Sequence, residues 1–423
     1  MYVFNNLMFI NPINNTLYKI KTITFDDKGI INNLDLERIP SENIENYNTF
    51  VTYSFIDLHT HTRIPGDNQE TPKSIQESAL HGGYDTLVAM ANTHPPVDNP
   101  QILNFVLEQF KSLDIDIKQL SAISSGLKGE QKINFDKMSS YGAFGFSEDG
   151  KWVYNTQIML DVLNYAKINN KTIFTHNEDV FLAQNKTIIN DGEISKKFGL
   201  DGIKNIAEST AVLRDCYLSY LTGAKIHLQH ISTKESIEII KYFKKIGANI
   251  TAETAPHYFS LTEFDIKTAD NGYYKVNPPL RTQDDKIGII KALKDGTIDT
   301  IATDHAPHLD SEKNISFKNA KPGFVGLDLA FSIGLTYLYD KKYLNLFDLV
   351  RKFNEKPAQI INKQLPKLEV GNKVNLTFFN TKEEWEVKKE EIKSNCKNTP
   401  FLGKKLKGKV KGIFINGKYF GNF

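Results

Sequence analysis

Ten histidines punctuate this 423-residue chain, and none lies in the first 58 residues or the last 115. Chemistry that uses imidazole therefore belongs to the middle of the sequence. His59 and His61 form an H-x-H pair. At i and i+2 on a strand both rings share one face, which is the geometry for two ligands on one metal. A pair of partly exposed loop histidines is the plainer reading. Alone, His176 reads as a hydrogen-bonded core histidine and Asp304 as a cap for the segment after it.

The elements around these residues change that reading. Short apolar runs at 54–58, 86–91, 120–124, 143–146, 172–175, 226–229, 249–254 and 300–303 alternate with amphipathic stretches such as PKSIQESALHGG and STKESIEIIKYFKKIG. Eight strand candidates alternating with helices predict an α/β chain folded as a (β/α)8 TIM-type barrel over 53–362. Active sites of such barrels lie at the carboxyl ends of the strands. His59 and His61 follow the first run, Asn92 the second, Glu148 and Asp149 the fourth, His176 the fifth and His230 the sixth. Asp304, His305 and His308 follow the eighth. Metal-ligand residue types thus occupy the rim of five strands, and imidazole with carboxylate but no thiolate suits zinc in a hydrolytic site. His227, three residues before His230, is expected to face the helix layer, and His81 to be exposed. His94 and His257 are expected to be structural or to support ligands. The segment 308–324 is a candidate active-site loop, expected to be mobile over 309–322.

Both chain ends read as β-rich, with alternating apolar residues and turns such as DDKG. Residues 1–52 and 363–423 are expected to pair into one small composite β domain. A net charge of +2, with 24% charged and 40% hydrophobic residues, gives no reason to expect nucleic acid or a membrane as partner. Cys216 and Cys396 lie far apart, so neither a disulfide framework nor a thiolate zinc site is expected. No signal peptide or membrane-length apolar run is read, and the expected location is the cytoplasm.

The strings FIDLHTHTRIPG, MANTHPPVD, FSEDG, HNEDV, HLQHISTKES, ETAPHYFSLTE, VNPPLRTQDD and IATDHAPH resemble those of class I dihydroorotases of the amidohydrolase superfamily. The resemblance continues through KNAKPGFVGLDLAF and NTPFLGKKLKGKVKGIFINGK, in the same order. Ala91 and His94 stand where that family commonly has proline and a basic residue. The resemblance implies one or two zinc ions: His59, His61 and Asp304 bind one, His176 and His230 a second, and Asp149 bridges them. Many relatives bridge with a carboxylated lysine, which the fourth run lacks. Lys151 is an alternative bridge, and Glu148 is expected not to ligate. The resemblance also implies substrate contacts from Arg63, Asn92, Asn277, His308, Gly323 and Phe324, with Arg63 gripping a carboxylate.

The implied activity is the zinc-dependent cyclisation of N-carbamoyl-L-aspartate to L-dihydroorotate in pyrimidine synthesis, and its reversal. Zinc activates water by lowering its pKa to roughly 7, and Asp304 carries the proton to the departing nitrogen. A homodimer and association with aspartate transcarbamoylase are the implied macromolecular partners. Two other readings stand beside this one. The first is a related cyclic amidase acting on allantoin or hydantoin. The second is a non-catalytic relative that supports aspartate transcarbamoylase.

Overall fold

The computed structural model describes residues 1–66 and 68–421. Strands from both ends of the chain share one seven-stranded sheet. They are β1 (Tyr2–Asn11), β2 (Thr16–Phe25), β3 (Ile31–Ile39), β4 (Thr49–Tyr53), β13 (Leu376–Glu386), β14 (Lys405–Ile415) and β15 (Lys418–Gly421). Their order is β15-β14-β13-β4-β1-β2-β3. β4 pairs with β1 on one side and β13 on the other, so the sheet exists only when the two ends meet. β3 falls within the expected β-rich N-terminal segment. Its sequence, INNLDLERI, is mostly polar, and its burial pattern shows it largely solvent-facing.

Between the ends run eight parallel strands: β5 (Phe55–Thr60), β6 (Tyr84–Ala89), β7 (Asp116–Gln119), β8 (Phe146–Ser147), β9 (Thr172–Thr175), β10 (Lys225–Leu228), β11 (Ile250–Thr254) and β12 (Thr300–Ile301). They form sheets ordered β5-β6-β7 and β8-β9-β10-β11-β12. Single parallel bridges, Ser121 to Phe146 and Thr60 to His305, join the sheets at their two seams. Strand pairing therefore runs through all eight and returns to the first. β7 lies just before the expected run 120–124. It escaped notice because DIKQ carries three polar residues in four, and Gln119 is buried by donating to the carbonyls of Ala89, Met90 and Leu120. β12 is shorter than expected because Thr303 N–H leaves the ladder for Asp57 Oδ1 (2.7 Å).

The intervening helices begin where the sequence supplies caps. Thr71, Asn99, Asn155, Thr233 and Thr282 each accept from first-turn N–H groups. One apolar cluster unites Ile56, Leu58, Val88, Met90, Leu120, Phe174 and Ala302. Residues from five different strands or strand ends can meet in this way only by pointing into the ring. No described helix is long and apolar enough to cross a membrane.

Candidate metal centre

Just beyond this apolar layer the strand ends carry the polar residues. His59 stands one residue before the end of β5 and is fully buried. Its Nδ1–H donates to Glu253 Oε1 on β11 (2.8 Å), which turns the Nε2 lone pair toward the rim. His61 uses the same tautomer: its Nδ1–H donates to Asn92 Oδ1 (2.9 Å). Asn92 Nδ2 then donates to Asp149 Oδ2 (3.0 Å). Gly150, next to Asp149, has φ +75°, and a Cβ there would sit 2.9 Å from Asn92 Nδ2, so this approach requires glycine.

The ligand-type atoms converge, and His176 Nδ1 also lies 2.8 Å from His230 Nε2. His59 Nε2 lies 3.4 Å from Asp149 Oδ1 and 3.6 Å from Asp304 Oδ1. His61 Nε2 lies 3.3 Å from Asp304 Oδ1. Asp149 Oδ1 is also 3.5 Å from His176 Nδ1 and 3.6 Å from His230 Nε2. Tetrahedral zinc with bonds near 2.1 Å separates its ligand atoms by about 3.4 Å. The ligand atoms of His59, His61 and Asp304 all lie within 4.8 Å of one another, as do those of His59, Asp149 and His230. His59 Nε2 and Asp149 Oδ1 are buried without a hydrogen-bond partner. Such desolvated, converging lone pairs are costly unless a cation joins them. The residues present therefore fit a divalent metal.

The backbone pays for this convergence. His230 has φ +35°, Asp304 φ +49° and Arg63 φ +57°, a region non-glycine residues rarely occupy and then often at functional sites. Burial opposes ionisation of Asp304. His61, His59 and His230 outweigh it and hold the carboxyl well below the usual range.

The centre opens onto a cavity of about 230 Å³. Arg63 lies on its wall, with Nε donating to Pro307 O (3.3 Å) and Nη2 beside His308 Nε2 (3.3 Å). Asn277 offers Oδ1 without a partner, while its Nδ2 reaches Glu178 Oε1 (3.4 Å). Asn92, His308 and Gly323 also line the cavity, but several of their groups are already engaged. The Asn92 amide serves His61 and Asp149. Gly323 N–H donates to Lys275 O (2.9 Å), and its carbonyl accepts from Asn398 Nδ2 (3.0 Å). Gly323 has φ +142°, and a Cβ would lie 2.7 Å from Ala306 Cβ, so glycine is needed here for shape. Phe324 turns its ring onto His257 (centroids 5.2 Å).

The expectations for His227 and His81 need correction. His227 faces the ring interior and not the helix layer: its Nε2 is 2.9 Å from Glu253 Oε2. The alternation argument failed because β10 ends at Leu228, so His230 lies outside the strand. His81 is buried beside Asp328 (3.1 Å). Lys151 is exposed, and Glu148 accepts from Ile123 and Ser124 N–H (3.0 Å each). His257 is buried near Asp304, with Nε2 3.9 Å from Oδ2, and burial pushes its pKa down to about 4. Glu253 was missed, although a carboxylate inside the apolar run NITAET was the available signal. Burial opposes its ionisation, but His227 and His59 hold its pKa at about 2.

Known proteins place this geometry in a family. A family model described as Dihydro-orotase-like matches residues 49–236. A dihydroorotase from Caldicellulosiruptor saccharolyticus is 39% identical over 99% of this chain and 98% of its own length. One from Clostridium acetobutylicum is 38% identical over 91% of this chain and 89% of its own. Among solved structures, an L-hydantoinase from Arthrobacter aurescens superposes with a TM-score of 0.83, covering 99% of this chain and 96% of that one, at 21% identity. That likeness concerns the fold alone. The near-complete match to curated relatives goes further, and this chain belongs to the dihydroorotase family.

Proposed function

We propose that this chain is a dihydroorotase, a metal-dependent cyclic amide hydrolase that interconverts N-carbamoyl-L-aspartate and L-dihydroorotate in pyrimidine synthesis. The observation that carries this reading is the cage of four histidines and two aspartates opening onto a cavity that presents the Arg63 guanidinium. In this reading His59, His61 and Asp304 would hold one zinc and His176 and His230 a second, with Asp149 as a further ligand. Bound metal supplies an activated water and polarises the ring carbonyl.

The chain's own residues do the rest. Arg63 receives the substrate carboxylate that must not react, with His308 beside it. Asn277 Oδ1 accepts a ring N–H. Asp304 Oδ1 faces His59 and His61, which leaves Oδ2 to take the proton from the attacking water. The same oxygen returns that proton to the ring nitrogen as the amide C–N bond breaks.

The same reading carries the finer assignments: the class I subtype, a (β/α)8 TIM-type barrel over 53–362, and a composite β domain from 1–52 and 363–423. It also includes a cytoplasmic location, a homodimer and association with aspartate transcarbamoylase.

Metal analysis joined to a hydrolysis assay tests the core of it. Purified protein is expected to carry one or two zinc ions per chain and to hydrolyse dihydroorotate in preference to hydantoin and allantoin. Chelation should abolish activity, and added zinc should restore it. A protein that stays inactive after zinc is added overturns the proposal in favour of a non-catalytic role. Arg63→Lys tests the carboxylate grip. Lysine keeps the charge but loses the planar fork, so KM for dihydroorotate should rise on the order of tenfold with little change in hydantoin turnover. An unchanged KM would remove Arg63 from the binding role.

A further inference from the structure

Behind Gly323 lies a cation that the reaction does not use. Lys313 is fully buried. Its ammonium donates to three backbone carbonyls: Lys275 O at 2.8 Å, Lys321 O at 2.9 Å and Gly323 O at 3.1 Å. An ammonium has three N–H donors and no acceptor, so these three carbonyls saturate it. Among the described ion pairs, none involves Lys313.

The carbonyls come from two loops that form different walls of the cavity. Lys275 precedes Asn277 by two residues. Gly323 follows Pro322, whose carbonyl accepts from His308 Nε2 (2.8 Å). The loops also meet through backbone: Gly272 N–H donates to Lys313 O (2.9 Å) and Phe317 N–H to Ala269 O (2.8 Å). A Cβ on Gly272 would lie 2.0 Å from Ala320 Cβ, so the approach is as close as glycine allows. The expected mobile loop 309–322 is thus fastened along 269–277. Burying an ammonium is costly, and an apolar side chain would fill the same space without that cost. The cation's presence points to a need for its three donors.

We propose that Lys313 is a positioning residue whose buried ammonium fixes the Asn277 loop and the Pro322–Gly323 segment at the separation that the substrate requires. The proposal rests on the reading of this cavity as the dihydroorotate site. It assigns Lys313 an effect on substrate affinity and none on the chemical step.

The test uses the full-length, zinc-loaded protein as wild type, Lys313→Met and Lys313→Arg. Steady-state kinetics on dihydroorotate, zinc content and hydrogen exchange are measured on each. Lys313→Met is expected to raise KM on the order of tenfold, with kcat within about twofold and zinc unchanged. Exchange should rise at both 275–277 and 320–324 but not in the helix Asn205–Thr222. Lys313→Arg should recover part of the KM. An unchanged KM overturns the proposal, as does a fall in kcat and zinc content at constant KM. Exchange that rises in one loop alone also overturns it. If the methionine variant does not fold, Lys313→Gln, which keeps donors without the charge, supports the same comparison. A wild type inactive on dihydroorotate would instead sink the substrate reading. The exchange comparison would still decide the clamp, with unchanged exchange at both loops counting against it.

Discussion

Asp304→Asn should leave the metal centre assembled and the reaction nearly stopped. Asparagine has the same shape and tolerates the left-handed backbone that Asp304 adopts, φ +49°, so the strand end need not move. The amide oxygen can still face His59 and His61 as Oδ1 does at 3.6 and 3.3 Å. What the amide cannot do is accept and return a proton. A positioned acid–base group contributes roughly 10²–10⁴-fold, so kcat should fall on the order of 10³-fold, about 4 kcal/mol of barrier. The measurement is kcat on dihydroorotate beside zinc content for both proteins. A variant that keeps its zinc and works within tenfold of wild type would mean that another group moves the proton. Nearby His257, its pKa pushed down to about 4 by burial, would then be the next candidate.

The second large effect is expected at a residue that touches no substrate. Glu253 is fully buried and holds two imidazoles, His59 through Oε1 (2.8 Å) and His227 through Oε2 (2.9 Å). The first of these bonds fixes the His59 tautomer and points Nε2 at the metal position. Carboxylates that orient a metal-bound histidine are typically worth 10–100-fold in metal affinity or activity. Glu253→Gln keeps the volume but removes the charge and puts an N–H where one histidine needs an acceptor. We expect zinc affinity to weaken by about 10- to 100-fold, with activity largely recovered in excess zinc. Competition against a chromogenic chelator reads this directly. Zinc affinity equal to wild type would show that His59 is held by its ring packing alone.

These two residues differ in how legible they were. Asp304 stands at the end of an apolar run, where the barrel rule looks for chemistry. His59, His61, His176 and His230 were found in the same way, and the structure brings all five together with Asp149. Glu253 stands inside a run. Its place inside the apolar run NITAET is a local signal, but a strand's sequence does not say which of its residues faces the ring interior. His227 shows the same limit: counting alternation from His230 fails once the strand stops at Leu228.

The sequence by itself determined which residue types stand at each strand end, because hydrophobic period and chain order are local properties. It thereby placed His59, His61, Asp149, His176, His230 and Asp304 on one rim. Tertiary structure alone decided how the remaining polar groups are spent. Asn92 is used up on His61 and Asp149, Gly323 on Lys275 and Asn398, and Lys313 on three carbonyls. All but the Lys313 bonds to Lys321 and Gly323 join residues more than 30 positions apart in the chain. In a buried site most donors and acceptors must be paired, and the partners become known only when the strands have closed.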